Sequence, residues 1–477
     1  MYIFITLIIV VLILIINLQL KHYSNLNNIP GPSSLELLKV FLFSKSNSDV
    51  TKYFRSIFNK YGPVVKIWIK PFRPMIAVCD KRYFEQILSS KDHVHRTPAY
   101  KLFDAMFGNS IVTEHDIPRW KSNRKVISYA FSKKASMNNS EIIRYHSEKL
   151  GEYLESNENV VIDCQTILTR FTLQVMVGFL MKEDISDKPQ VSEKIIKSLE
   201  TYQKIYLERV YSLYKINNFM FQFTKSYKTW ITSALNVKNT VDEIIQKQII
   251  VRKSQEKHIE KMDCFDILRF HGFEHNHILS ELKTLIMAGY ETTAQVLSFV
   301  FYEAAKREDV QQKIFEEYIS ILGDDGKINS DNLNELKFTE SFIKECMRLY
   351  PPAPQFQRRI KSPITIGEVT IPQGTDVLFN TYEMHLSSDN YKNPLELIPG
   401  RFLPENVNEI DPFSFAPFCV GPRDCIGRKF AMIEMKYITS HIIGNFILRH
   451  PKHKMQLGIE ITLKSESGLP VIFKKRN

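Results

Sequence analysis

Hydrophobic and polar positions change their pattern sharply along this chain. The first twenty residues, MYIFITLIIVVLILIINLQL, carry no charged side chain. As a helix rising about 1.5 Å per residue they would extend roughly 30 Å, the depth of a bilayer core. No small-x-small cleavage pattern follows, so residues 1–20 are expected to be a transmembrane signal anchor rather than a cleaved leader. Lys21, His22, Lys39 and Lys45 all lie on its C-terminal side. The positive-inside rule then leaves the body of the protein in the cytosol and the N-terminus in the lumen. Pro30-Gly31-Pro32 stops any continuing helix and closes a basic hinge over 21–32. Residues 33–477 are expected to form the working body.

Beyond the hinge, helical spacing runs through Tyr53, Phe54, Ile57 and Phe58. Two short apolar runs, 64–69 and 75–79, are parted by Pro and Arg and predict a hairpin. A further helix is expected over 81–90. The stretch 98–118 is irregular and leads into Trp120-Lys121-Ser122-Asn123-Arg124. Residues 140–260 are helix-rich and charged. Within them, 202–230 is crowded with aromatic rings and lysines, which reads equally as core packing or as a lid dipping into lipid. A long helical pattern covers 277–306, and another helix carries Glu345 to Arg348 and ends before Pro351. Residues 363–385 alternate around Pro372-Gln373-Gly374 and predict strands and a turn, and 465–470 predicts a hairpin closing the pocket. The fold class expected is mainly α with a small β region.

Composition changes this picture only in places. With 44% hydrophobic and 24% charged residues, the chain can bury a large core. Its six cysteines are scattered without a disulfide framework, which fits a reducing compartment. The net charge of +11 suits an anionic membrane or an acidic protein as partner. No nucleic-acid-binding motif accompanies it, so nucleic acid is not an expected partner.

Chemistry concentrates in 415–427, where Phe418 to Gly427 reads F-x-x-G-x-R-x-C-x-G. Gly421 and Gly427 lack a Cβ, so the backbone can take left-handed angles and approach a flat ligand closely. Arg423, backbone N–H groups and a helix starting beyond Cys425 are expected to favour thiolate over thiol. Cys419 adds a second sulfur, but no C-x-x-C or Cys/His cluster supports zinc. Ala288-Gly289-Tyr290-Glu291-Thr292-Thr293 places a glycine and two threonines inside a long helix, where they weaken it by about 1 kcal/mol at the glycine alone. Either a ligand needs the room or a second helix packs there. Trp120 and Arg124 share a helix face at four-residue spacing, and Glu345 and Arg348 at three.

Together these segments resemble the cytochromes P-450. Residues 418–427 are similar to that family's haem-thiolate loop, 288–293 to its [AG]-G-x-[DE]-T-[TS] helix, 345–348 to its E-x-x-R helix and 120–124 to its W-x-x-x-R helix. The resemblance covers nearly the whole chain in order. It implies the cytochrome P-450 fold around haem b, with Cys425 as axial iron ligand. It implies that Glu291 and Thr292 relay protons, and that Trp120, Arg124, Arg358 and Arg423 meet the haem propionates. Arg359, beside Arg358, leaves that assignment open. Arg401 would complete a triad with Glu345 and Arg348, and Ile111 and Val112 would border the substrate. Electrons would come from NADPH through a flavoprotein reductase, whose acidic surface would meet Lys121, Lys125, Lys133, Lys134, Arg428 and Lys429. The implied activity is a monooxygenase acting on a small lipophilic substrate, in an endoplasmic-reticulum membrane. Departures are Cys419 for Gly or Ser, Leu386-Ser387 for Arg-Asp, Tyr391 for Trp and Gly400 for an acid; they bear on loop stability. An isomerase or dehydratase of oxygenated lipids, or a non-catalytic haem sensor, are the alternative readings; the intact Glu291-Thr292 pair argues against the first, and the second would keep Cys425 but need no open pocket.

Overall fold

The computed structural model describes residues 18–19, 21–43, 46–70, 73–210, 212, 215, 217–252, 262–322 and 330–476. The anchor expected over 1–20 therefore lies outside the described residues except for Leu18 and Gln19, as does Lys45. Eleven helices of ten residues or more are described. They are α1 Ser34–Phe43, α2 Asn47–Tyr61, α3 Ile117–Ala130, α4 Ser140–Ser156, α5 Cys164–Met181 and α6 Pro189–Val210. There follow α7 Lys225–Val251, α8 His275–Ala304, α9 Glu308–Leu322, α10 Lys337–Leu349 and α11 Arg428–Asn445. The strands are β1 Val64–Lys70, β2 Arg73–Val78, β3 Val161–Asp163, β4 Gln355–Arg359, β5 Ile364–Ile366 and β6 Val369–Ile371. They continue with β7 Asp376–Asn380, β8 Phe446–Arg449, β9 Leu457–Ile459, β10 Leu463–Ser465 and β11 Pro470–Lys475.

Two hydrophobic clusters organise these elements. The larger one gathers the long helices around α8, which is buried at nearly every position from Tyr290 to Ala304. Helix α5 packs along it. Among the described residues α5 is the one helix long and apolar enough to cross a membrane, but 78% of that span is buried inside the protein. Here it is a core helix. The smaller cluster lies under a four-stranded sheet ordered β1-β2-β7-β4, in which β2 and β7 run parallel. Tyr23, Leu26 and Ile29 are buried in this cluster. The segment expected to be a hinge is thus docked on the sheet. Lys66 N–H donates to Pro30 O at 2.9 Å, and a Cβ on Gly31 would fall 2.0 Å from Lys66 O.

Several elements differ from the sequence expectation for local reasons. Helix α3 starts at Ile117, inside the stretch read as irregular, because the Asp116 side chain accepts from Arg119 N–H and Pro118 sits in the first turn. Residues 381–385 are helical, with Asn380 as the N-cap. The terminal hairpin is β9 with β10, whereas β11 leaves it to pair with β3 and β8. Strand β3 had no sequence signal, since three residues are too few to show a period.

Helix α10, packed in the larger cluster, links it to the connection that leads to the loop carrying Cys425. Glu345 and Arg348 are fully buried and joined by two bonds of 2.7 Å. Arg348 also donates to the carbonyls of His385, Pro394 and Glu396, and Arg401 stands 3.3 Å from Glu345. Tyr391, in the place of a tryptophan, lies under Arg348 and donates to Ser414 O. Gly400 has open space where a Cβ would go. These two departures leave the triad's contacts complete.

His385 extends the hub to the cysteine loop. Its Nε2 accepts from Ala416 N–H at 3.0 Å, so the Nδ1–H donates to Arg348 O at 3.1 Å. Burial, and then the Arg348 charge, push His385 down to about 3. The unfolded ring takes up a proton below about pH 6.5 while the folded one stays neutral. Stability contributed here is therefore full above pH 6.5 and is lost as pH falls towards 3. Between pH 6.5 and 5 the loss from this residue should be about 1.5 kcal/mol. His385→Gln should flatten the pH dependence of urea unfolding by that amount; an unchanged slope would reject the neutral-clamp role.

Candidate active site

The cysteine loop is held by its own backbone. Cys425 N–H donates to Phe418 O at 2.8 Å and Asp424 N–H to Gly421 O at 3.0 Å. Gly421 has φ +79, and a Cβ there would land 1.8 Å from Leu88 O. It is glycine for both reasons. Gly427 is not left-handed: it sits at φ −85 as the N-cap of α11, and a Cβ would make ordinary contact with the Phe131 ring. Cys419 occupies a left-handed position at φ +59, which explains why glycine would suit it.

Cys425 is accessible at the tip of this loop. Burial raises its thiol above the ordinary range, with the Gly427 N–H pulling in the opposite direction. The expected thiolate-favouring field is not realised in the protein alone. Arg423, the side-chain cation expected to supply it, is directed elsewhere. Arg423 donates to the carbonyls of Val94, Ile111 and Glu114, and Arg124 is paired with Asp424. A metal cation at the sulfur would displace the remaining proton.

Three guanidinium groups converge beside this loop. Arg423 is buried, with its carbon 3.9 Å from the centre of the Trp120 ring. Burial, and behind it Arg96 and Arg358, push Arg423 down to about 8. Arg96 is pushed down to about 10, by burial first and with Arg358 adding to it. Its Nε is buried without a hydrogen-bond partner, and among the described residues none of the three forms an ion pair. Strand alternation separates Arg358 from Arg359. Arg358 is buried, 3.6 Å from Cys419 Sγ, whereas Arg359 turns to the other face and grips Asp376 at 2.7 and 2.8 Å. Arg96 was not legible in the sequence, because nothing around His95-Arg96-Thr97 has a spacing that singles it out.

Helix α8 divides its small residues between two uses. Gly289 packs on α5, where a Cβ would meet Met176 at 2.5 Å. Ala288 is exposed and Thr292 half-buried, although most of the helix from Ile278 onward is buried. The Thr292 hydroxyl donates to Ala288 O at 2.7 Å, which leaves its lone pairs free to accept. Glu291 turns away and is buried. It accepts from Gln203 and from Thr462 at 2.9 Å, and its Oε1 lies 2.8 Å from Lys464 Nζ. Helix α8 also holds the 110–114 loop: Ile111 N–H donates to Glu281 at 2.9 Å while Ile111 O receives Arg423. Ile111 is buried and Val112 half-buried.

The aromatic stretch 202–230 also divides. Tyr202, Phe221 and Trp230 are core, with Tyr202 and Trp230 stacked at 3.7 Å. Phe219, Met220 and Phe223 are exposed, while Tyr211 and Tyr214 lie outside the described residues. On the outer side of α3, a cleft of about 480 Å³ is lined by Lys91, Trp120, Lys121, Arg124, Lys125 and Pro422. Lys121, Lys125, Lys133, Lys134, Arg428 and Lys429 are all exposed.

These residues fit a flat, metal-bearing group with acidic substituents. Unpaired buried guanidinium groups call for anions, and the orphaned Arg96 Nε has a donor to give. An accessible thiol at a tight loop is a soft metal ligand.

A family model described as Cytochrome P450 matches residues 29–469. The chain is 26% identical to cytochrome P450 4d8 of Drosophila melanogaster over 443 residues, 87% of this chain and 95% of that protein. It is 27% identical to cytochrome P450 4Z1 of Homo sapiens over 439 residues, 88% of this chain and 86% of the relative. Similarity to probable cytochrome P450 4ac2 of Drosophila melanogaster is 28% over 393 residues, covering 80% and 76%.

The loop geometry carries its own test. Gly421→Ala would combine left-handed strain with a backbone clash against Leu88, each costing about 1–3 kcal/mol or more. The variant should lose haem incorporation and most folded yield, whereas Gly400→Ala, with open space around it, should retain both on comparing haem absorbance per protein.

Proposed function

The chain belongs to the cytochrome P450 family, a haem-thiolate monooxygenase, and from that premise we propose what its own residues do. The reading is that it inserts one atom of dioxygen into a small lipophilic substrate, with electrons passed from NADPH by a flavoprotein reductase. What carries it is the accessible Cys425 thiol beside three unpaired arginines. Haem b, once bound, would supply the centre at which dioxygen is activated, with sulfur donation favouring O–O cleavage. Cys425 would hold its iron. Arg96, Arg358 and Arg423, with the Trp120 ring, would hold its propionates, and Arg124 would brace the loop through Asp424.

Proton supply falls to Glu291 and Thr292. The Thr292 hydroxyl gives its proton to Ala288 O, so it orients a neighbouring donor by accepting from it. Glu291 points about 100° around the helix from Thr292, toward the C-terminal hairpin, and feeds the site from there. The clustered lysines around the cleft on α3 suit an acidic reductase face. Residues 1–20 would anchor the chain in the endoplasmic reticulum with 33–477 facing the cytosol, and exposed Phe219, Met220 and Phe223 would touch the lipid surface. The 21–32 segment, docked on the sheet, would couple the anchor to the body.

Two outcomes test this reading. The ferrous–CO complex should show the red-shifted Soret band of thiolate ligation; Cys425→Ser should lose it and Cys419→Ser keep it, and the reverse pattern would exchange the two roles. A binding-spectrum screen of steroids, fatty acids and terpenoids supplies a substrate for the second. Thr292→Ala should keep haem and substrate binding while product per NADPH oxidised falls about ten- to a hundredfold. Added hydrogen peroxide should partly restore product. An unchanged ratio would leave only packing as the reason for this threonine.

A further inference from the structure

Glu281 is a fully buried acid on α8, about three turns before Thr292, and no motif announces it. Its Oε2 accepts from Ile111 N–H at 2.9 Å. Its Oε1 has no hydrogen-bond partner and faces His277 Nε2 at 3.3 Å. The amide nitrogen of Asn123, on α3, stands 3.1 Å from that same His277 atom. Taking a carboxyl group wholly out of water is costly, and here one backbone N–H is its hydrogen-bonded return. The use of Glu281 is therefore to be sought in what Ile111 holds, and the inference rests on the reading of Arg423 as a propionate ligand.

The loop that Glu281 grips is compact. Thr113 Oγ1 accepts from Ser110 N–H at 2.9 Å and donates to Gly108 O at 2.6 Å. Gly108 lies so close to α8 that a Cβ would fall 2.7 Å from Ser280 Oγ, and Lys283 donates to Met106 O. At the other end, the Glu114 carboxylate accepts from Asp116 N–H at 2.8 Å and pairs with Arg119 in the first turn of α3. The loop is thus fixed to α8 on one side and to α3 on the other. Between these fixed ends, Ile111 and Glu114 present their carbonyls to Arg423 at 3.4 and 3.2 Å. Val94 supplies the third carbonyl at 3.0 Å. Two of the three oxygens that direct Arg423 therefore depend on where Glu281 holds residue 111.

We propose that Glu281 is a positioning residue for the haem edge: by holding Ile111 N–H it fixes the carbonyls of Ile111 and Glu114, and through them it aims the Arg423 guanidinium at a propionate. A guanidinium is a planar fork, so its direction decides whether two N–H groups can meet one carboxylate. The Trp120 ring, 3.9 Å away, sets the plane of Arg423, and the loop carbonyls set its rotation within that plane. The charges that bear most on Arg423 are those of Arg96, Arg358 and Arg124. Glu281 acts by geometry rather than by charge. Burial raises its carboxyl, with His277 and the Ile111 N–H pulling it down, and Oε2 can accept in either protonation state.

Haem retention and loop order in the full-length haem protein test this without any substrate. Glu281→Leu should release haem to excess apomyoglobin about tenfold faster than the wild type, the factor expected for one buried hydrogen bond. Backbone amides in 108–114 should exchange faster with deuterated solvent in the same variant. Glu281→Gln keeps an acceptor and should match the wild type in both measurements. Glu281→Met serves where Glu281→Leu does not fold. The deciding step repeats the comparison in an Arg423→Gln background, where Glu281→Leu should change haem release by less than about twofold. Arg423→Lys, a point charge without the fork, replaces Arg423→Gln if that variant takes up no haem. A full tenfold effect without Arg423 would make Glu281 a packing residue and overturn the proposal. Unchanged release or exchange in Glu281→Leu, or Glu281→Gln behaving like Glu281→Leu, would overturn it too. Failure of the underlying reading would look different: Arg423→Gln alone would release haem at the wild-type rate.

Discussion

The structure depends most on one fully buried ion pair, Glu345 with Arg348. Removing two charges from water is costly, and their attraction offsets the cost only when every donor and acceptor is used. Here the guanidinium reaches three carbonyls besides the carboxylate, and Ile398 N–H and Arg401 take up what the carboxylate has left. The carbonyls come from residues 385, 394 and 396, so the pair folds an otherwise irregular connection around itself. His385 then passes that order to Ala416, immediately before the cysteine loop. The loop's position is a consequence of satisfying a buried arginine some seventy residues earlier in the chain.

The arginines near Cys425 are arranged on the opposite principle. Arg96, Arg358 and Arg423 are brought together without a carboxylate, an arrangement that lowers stability in the protein alone and favours a dianionic ligand. Arg423 is kept in place by backbone carbonyls, which cannot neutralise it but can orient it. Stability is held back at the site and supplied by the helical core around α8. The sulfur follows the same logic: the protein around it raises its thiol, and a cation at the sulfur would act in the opposite direction.

Helix α8 shows how one short motif serves several neighbours. Gly289 faces α5, Ala288 and Thr292 face accessible space, and Glu291 faces the hairpin. A period of 3.6 residues makes successive side chains point about 100° apart, so adjacent letters necessarily serve different partners. Packing and chemistry, which looked like rival explanations for the small residues, are each correct for a different one.

What the sequence by itself determined are the features carried by local spacing. The three-residue interval of Glu345 and Arg348, the four-residue interval of Trp120 and Arg124, the loop 418–427 and the long helical pattern around Glu291 all depend on neighbours within about one or two turns. The mainly helical class followed from the same periodicities. What needed three dimensions were relations between distant segments: Arg96 beside Arg358 and Arg423, Lys464 on Glu291, β11 leaving its hairpin for β3 and β8, and the docking of 21–32 on the sheet. Whether Arg358 or Arg359 faced the loop was a question of strand direction, and the upward shift of the Cys425 thiol a question of burial first and of neighbouring charges second. Hydrophobic period is a property of consecutive residues, whereas charge balance and burial are sums over everything that folds nearby.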